Sequence, residues 1–180
     1  MTEYAYINMK TKAKFKKVDV TEFLLHSNWI ERERSTEALE DAEKAWKYIA
    51  GKKKITVNDV LEIHRLLTYR INPRIAGKIR DCDVWIGDEH KKFIGREILL
   101  SQLERVLPLE ASFDCTDDPE QATKDCHVLF EHVHPFEDGN GRVGRIIYNW
   151  HRMQLGLPIH IITIGTEQHY YYEWFRKKVT

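Results

Sequence analysis

The sequence predicts a single compact, mainly α-helical domain carrying one β-hairpin. Three observations support that expectation. The chain has 180 residues, which is room for one domain at roughly 150 residues per domain. Apolar residues recur at helical spacing along most of it. The period changes once, between Ile75 and Phe93, to short β-branched and aromatic runs. No internal repeat, low-complexity tract or linker interrupts the pattern.

Residues 1–20 are mixed and basic (Lys10, Lys12, Lys14, Lys16, Lys17) and read as a loose lead-in, with the domain proper over 21–180. The first helix follows Val20, where Asp19 or Thr21 can cap and Phe23, Leu24 and Trp29 or Ile30 recur at helical spacing. A second fits Thr36 to Ile49. Ser35 or Thr36 caps it, Leu39, Ala42, Trp46 and Ile49 form its apolar stripe, and Gly51 stops it. Lys52-Lys53-Lys54 reads as a solvated turn. Thr56-Val57-Asn58-Asp59 opens a third helix with Val60, Ile63, Leu66 and Leu67 inward. The hairpin follows: Val84-Trp85-Ile86, a Gly87-Asp88 turn, and a second run ending at Phe93. A fourth helix runs from Gly95 to Leu107 and ends at Pro108. A fifth starts after Asp117-Asp118-Pro119, carries Ala122, Cys126, Leu129, Phe130 and Val133, and stops at His134-Pro135. A sixth runs from about Gly141 to Leu155, closed by Gly156. An aromatic-rich helix from Glu167 to Lys178 completes the chain.

Composition narrows the function. Lys and Arg number 28, matched by 28 Asp and Glu, a formal net charge of +0. A non-specific nucleic-acid binder normally carries a basic excess. No apolar run is long enough to cross a bilayer, and Met1-Thr2-Glu3-Tyr4 does not begin a secretory signal. Cys82, Cys115 and Cys126 are odd in number and widely spaced, which argues against a disulfide scaffold and for a reducing cytoplasm.

The segment that carries chemistry is His134-Pro135-Phe136-Glu137-Asp138-Gly139-Asn140-Gly141-Arg142-Val143-Gly144-Arg145. Glycines on either side of Asn140, just before a helix, let successive N–H groups converge into an anion-binding nest. The helix N-terminus adds partial positive charge. Arg142 and Arg145 project from neighbouring sites, while Val143, Ile146, Ile147 and Trp150 anchor the helix in the core. Two guanidinium forks over a backbone nest suit a polyphosphate. Asp138 at the mouth would repel phosphate unless a hard cation lay between, which points to Mg²⁺. His134 is the neutral-range acid/base of the loop and could accept a proton from a hydroxyl.

Each feature also has a plain reading. Gly-Asn-Gly is often a turn, paired arginines often a solvated face, His134 a helix-end residue, Asp138 an N-cap. Their concurrence within one short segment favours the chemical reading. A zinc site from Cys126, His127, His132 and His134 is disfavoured, because the histidine spacings do not give the i, i+4 pair of a zinc helix.

The run from His134 to Arg145 resembles the Fic motif, His-x-Phe-x-(Asp/Glu)-Gly-Asn-Gly-Arg-x-x-Arg, at every specified position, and the similarity extends from about Ser27 to Tyr172. The resemblance implies a Fic-like helical domain with a hairpin flap that transfers AMP from ATP to a Ser, Thr or Tyr hydroxyl of a target protein, releasing pyrophosphate. It implies His134 as general base, with Asn140 and Arg142 in the catalytic group, and Asp138 as the Mg²⁺ ligand. Gly139, Asn140 and Gly141 become the anion hole, and Arg142 and Arg145 the phosphate clamp, Arg145 at the γ-phosphate. Val143 and Gly144 fall within the same nucleotide-binding run, while Phe136 packs the loop. Val84, Trp85, Ile86 and Gly87, preceded by Gly77-Lys78-Ile79-Arg80, resemble the flap over the nucleotide, whose edge would hold the target by strand addition. Tyr170 and Tyr171 resemble a pair at the adenosine end, with helix packing as the alternative.

Ser27-Asn28-Trp29-Ile30-Glu31 resembles the family's inhibitory motif, (Ser/Thr)-x-x-x-Glu-(Gly/Asn), which implies a Glu31–Arg145 ion pair that competes with the γ-phosphate. Arg32 stands where Gly or Asn is usual, and Thr36 to Glu40 offers a rival spacing. The flap lacks the prolines that often follow it in relatives. The expectation is an autoinhibited AMP transferase. UMP or phosphocholine transfer, removal of AMP, and a nucleotide-gated binding module remain as alternatives.

Overall fold

A computed structural model of the chain describes residues 17–109 and 118–176. The lead-in up to residue 16, Cys115 and the expected helical residues 177–178 lie outside the described residues. Helix α1 is Lys17–Ile30, α2 Thr36–Ala50 and α3 Val57–Thr68. Strands β1 (Val84–Ile86) and β2 (Glu89–Lys91) follow, then α4 (Arg96–Val106), α5 (Pro119–Val133), α6 (Asn140–Gln154) and α7 (Thr166–Arg176). Helix α1 starts earlier than expected, so residues 17–20 are helical rather than lead-in. Val20 explains this: it is buried with Phe23 and Leu24, the i, i+3, i+4 set of one apolar face.

Local chemistry sets the other starts. Ser35 Oγ accepts the N–H of Ala38 at 3.1 Å. Thr56 and Asp59 form a reciprocal capping box on α3. Asp118 accepts the N–H of Glu120 at 2.9 Å, with Pro119 in the first turn of α5. The strands pair antiparallel, Val84 with Lys91, Trp85 with His90 and Ile86 with Glu89. Gly87, at φ +57°, makes the turn between them.

Helix α6 is the axis of the molecule. Thirteen of its fifteen residues are buried, and α1, α2, α3 and α5 pack against it. Val143, Ile146 and Trp150 meet Trp46, Ile63 and Phe130 in the main core. Helix α7 closes a smaller cluster of Ile30, Ile162 and Tyr171. This axis starts at the Gly-Asn-Gly segment, so the core fixes the direction in which the candidate site faces. No helix among the described residues is long and apolar enough to cross a membrane.

Candidate active site

Helix α5 ends at His134, whose backbone is left-handed at φ +47°. A non-glycine residue there costs about 1–2 kcal/mol, so something must hold it. Arg80 does: its Nε donates to the His134 carbonyl at 2.9 Å and its backbone N–H to Pro135 at 2.9 Å. The same guanidinium donates to Cys82 and Lys92 carbonyls, tying the base of the hairpin to the loop. Asn140 closes the loop's far end. Its carboxamide accepts the Phe136 N–H and donates to the Phe136 carbonyl, both at 2.9 Å.

His64 braces the loop from α3. Its Nδ1 accepts the Gly77 N–H at 3.0 Å, so its proton resides on Nε2, which donates to the Asp138 carbonyl at 3.0 Å. The ring stacks on Phe136 with centroids 3.8 Å apart and planes 2° apart. Burial holds this imidazole neutral by pushing its pKa down to about 4.

The reactive groups sit on this frame. His134 Nδ1 faces the Glu131 carbonyl at 3.3 Å. As the donor it leaves Nε2 unprotonated. Burial lowers the pKa of this imidazole to about 4, so it is a free base at neutral pH. Asp138 is exposed, and its Oδ1 accepts the Gly139 N–H at 2.6 Å. Unlike α2, α3 and α5, helix α6 has no side-chain cap; its N-cap is Gly139, at φ +80°. Its first N–H groups therefore stay open at the positive end of the helix dipole. A Cβ at Gly139 would press on Thr68 at 3.1 Å and His64 at 3.4 Å.

The two arginines differ in how well they are satisfied. Arg145 is fully enclosed and well partnered: Nε donates to Ser27 Oγ at 2.9 Å and Nη2 to the Ser27 carbonyl at 3.0 Å. Its Nη2 also meets Glu31 Oε1 at 2.7 Å, and Nη1 reaches Tyr171 OH at 3.5 Å. Arg142 is equally buried but has one long bond, to the Leu67 carbonyl at 3.5 Å, and its Nε has no partner. An under-satisfied buried guanidinium beside an uncapped helix start is suited to an anionic ligand.

Glu31 is placed by the end of α1. Glu33 N–H bonds the Asn28 carbonyl and Arg32 N–H the Trp29 carbonyl, each at 3.0 Å. That is a Schellman ending with Glu31 at the C-cap and Arg32 at the left-handed position, φ +64°. The rival Glu40 pairs instead with Arg70 at 3.3 Å.

The structure therefore gathers Ser27, Glu31, His134, Asp138, Gly139, Gly141, Arg142 and Arg145 around the start of α6. Other residues assigned to the site from sequence have side chains committed to packing or turned another way. Val143 is in the core, one helical step round from Arg142. Gly144 faces α5, where a Cβ would lie 2.8 Å from His127 Cε1. The Asn140 side chain is committed to Phe136, which leaves only its backbone for an anion. Tyr171 is 3% exposed, its hydroxyl 2.9 Å from His127 Nε2 and 3.5 Å from Arg145 Nη1, so it packs beneath that arginine, while Tyr170 is 64% exposed. On the flap, Val84 is buried and Trp85 is 67% exposed, as the pleat alternates them. The sequence marks no role for His64 or Glu131, and places Arg80 only in the lead-in to the flap. Their partners are distant in the chain or, for Glu131, depend on how α5 ends, so no local pattern marks them.

A family model described as Fic/DOC matches residues 54–151, more than half of the sequence. The chain belongs to the Fic/DOC family. Relatives include protein adenylyltransferase fic-1 of Caenorhabditis elegans, 33% identical over 120 residues, covering 65% of this chain and 23% of that protein. Protein adenylyltransferase Fic of Drosophila melanogaster is 35% identical over 133 residues, 71% of this chain and 27% of that protein. The chain thus spans about a quarter of the length of these curated relatives. Among solved structures, a Fic domain protein from Bacteroides thetaiotaomicron superposes with TM-score 0.68 at 20% identity, covering 86% of this chain and 69% of that one. Fic-1 from C. elegans gives 0.65 at 22%, covering 86% and 54%. The helical array and its hairpin are the Fic fold.

Proposed function

We propose that this Fic domain transfers AMP from ATP to a Ser, Thr or Tyr hydroxyl of a target protein, and that Glu31 restrains it. The observation that carries the reading is a neutral imidazole with its Nε2 free, on the same short loop as an uncapped, glycine-flanked helix start. The relatives named protein adenylyltransferases agree with it.

In this mechanism Nε2 of His134 takes the proton of the target hydroxyl. The oxygen attacks the α-phosphorus, a new P–O bond forms, and the bond to the bridging oxygen breaks to release pyrophosphate. The N–H groups at the start of α6 and the Arg142 guanidinium hold the phosphates and their developing charge. Asp138 fits a Mg²⁺ ligand: it is exposed and its Oδ1 is oriented by the Gly139 N–H. A lone carboxylate plus substrate phosphates is how Mg²⁺ is commonly held. Bound there, the ion would neutralise phosphate charge. Trp85 and the hairpin edge offer the target peptide a surface and a strand to pair with, and Tyr170 can meet the adenosine. Glu31 occupies Arg145 at 2.7 Å, where it competes with a γ-phosphate.

The test is mass spectrometry of the Glu31→Gly protein incubated with Mg²⁺ and each nucleoside triphosphate in turn, beside the same protein carrying His134→Ala. An AMP adduct with ATP alone, lost in the His134→Ala form while ATP still binds, is the expected result. A UMP adduct, or an AMP adduct that survives loss of His134, would overturn the assignment.

A further inference from the structure

Glu131 stands one turn before His134 on α5, and its carboxyl is nearly enclosed with little to hold. Its Oε1 is buried without a hydrogen-bond partner. Its Oε2 lies 3.9 Å from His134 Nδ1. The carboxyl fits because residue 144 on the facing helix is glycine; a Cβ there would overlap Oε1. Enclosing a carboxyl without partners is unfavourable, so its value must lie in what it faces.

It faces the proposed base. Among the described residues Glu131 is the one carboxylate within 4.0 Å of the His134 ring. The imidazole otherwise lies near two cations, Arg80 and Lys91, which oppose a positive charge on it, with the more distant Glu31 favouring one. When Nε2 takes a proton the ring becomes an imidazolium, and a nearby anion would stabilise it. Closing from 3.9 Å to hydrogen-bond length needs a shift of about 1 Å. Around the carboxyl itself, α6 contributes Arg145, the end of α1 Glu31, α5 His127 and α7 Tyr171. Burial raises its pKa to about 8, Arg145 pulling the other way and Glu31 adding to the rise, so the carboxyl is mostly protonated at neutral pH and the form able to pair with the ring predominates only above about pH 8.

We propose that Glu131 is the positioning residue of His134: once ionised, its side chain takes over the Nδ1–H from its own backbone carbonyl, holds the tautomer that leaves Nε2 bare, and balances the charge the ring acquires. The carboxylate accepts a hydrogen bond and takes no proton from the substrate. The hydroxyl proton stays on Nε2 until solvent removes it after product leaves.

The proposal rests on His134 being the base, and two measurements separate the two claims. The first needs no turnover. Side-chain NMR of His134 is followed against pH in the protein and in Glu131→Gln, an isosteric change that should fold. The expected result is an inflection near pH 8, from Glu131 ionising, that vanishes in the variant. Superimposable titrations would overturn the proposal whatever the rates do. The second compares AMP transfer above pH 8, where Glu131 is ionised, in the Glu31→Gly background with and without Glu131→Gln. A fall in kcat of at least about tenfold, with the KM for ATP unchanged, is expected. Equal kcat would also overturn it. If the NMR coupling appears but neither protein transfers AMP, the reading of His134 as an AMP-transfer base fails while its contact with Glu131 stands.

Discussion

Gly141 and Glu31 are fitted to one another. A Cβ at position 141 would overlap Glu31 Oε1 and lie 3.0 Å from Arg145 Nη1, so the carboxylate reaches its arginine only across a bare backbone. The glycine serves the open helix start and the approach of the carboxylate together.

That fit can be measured as a coupling. Alanine is the better helix former by about 1 kcal/mol, so Gly141→Ala should help α6 locally. It should nonetheless cost roughly 1–2 kcal/mol of stability in the parent, because Glu31 must leave Arg145, and clearly less in Glu31→Gly, where only the 3.0 Å approach to Arg145 Nη1 remains. Equal costs in the two backgrounds, read from urea unfolding, would show that the alanine collides with something else.

Arg32 suggests how firmly Glu31 is held. The Schellman ending needs a left-handed residue just past the glutamate, and arginine accepts φ +64° at a cost of about 1–2 kcal/mol. The Gly or Asn usual at this place in the inhibitory motif would avoid that cost. Arg32→Gly should raise Tm by about 2–8 °C and lower basal AMP transfer, since Glu31 is then better anchored. A lower Tm would contradict the left-handed assignment.

Asn140 acts as a strap for the loop. Asn140→Ala strands the buried N–H and carbonyl of Phe136 and should destabilise by about 2–3 kcal/mol. Asn140→Asp keeps the acceptor but sets an oxygen against the Phe136 carbonyl, and should be no better than alanine. An aspartate variant as stable as the parent would mean that the carboxamide does not bridge Phe136.

Buried histidines should make the fold acid-sensitive. Burial lowers His64, His134 and His151 to about 4 and His127 to about 3. The unfolded chain, with histidines near pKa 6.5, then binds more protons than the native state as pH falls from about 6.5 to 4, and stability falls with it. Glu131, raised to about 8, has the opposite slope between its unfolded value and 8, but is one group against four. Thermal melts should show Tm dropping steeply below about pH 6.5. A flat profile down to pH 4.5 would show that these rings are not buried neutral.

Much of this was legible in the residues. Helix starts followed from Ser35, Thr56 and Asp118, whose side chains bond their own backbone a few positions on. The hairpin followed from one change of period. The anion site and its base followed from twelve adjacent residues, because the glycines, arginines and histidine that build it lie within one loop and two turns of helix.

What adjacency could not supply was the direction of each side chain and the identity of distant partners. Val143 and Arg142 are neighbours in the chain yet one is core and the other is a buried, under-satisfied guanidinium near the Leu67 carbonyl, because 100° of helical rotation separates them. Tyr170 and Tyr171 part in the same way, one left in solvent, the other drawn under Arg145. His64 reaches the loop across 74 positions and Arg80 across 54. Such contacts arise from how α3, the hairpin and α6 pack, since a hydrogen bond depends on distance in space and leaves no periodic trace along the chain.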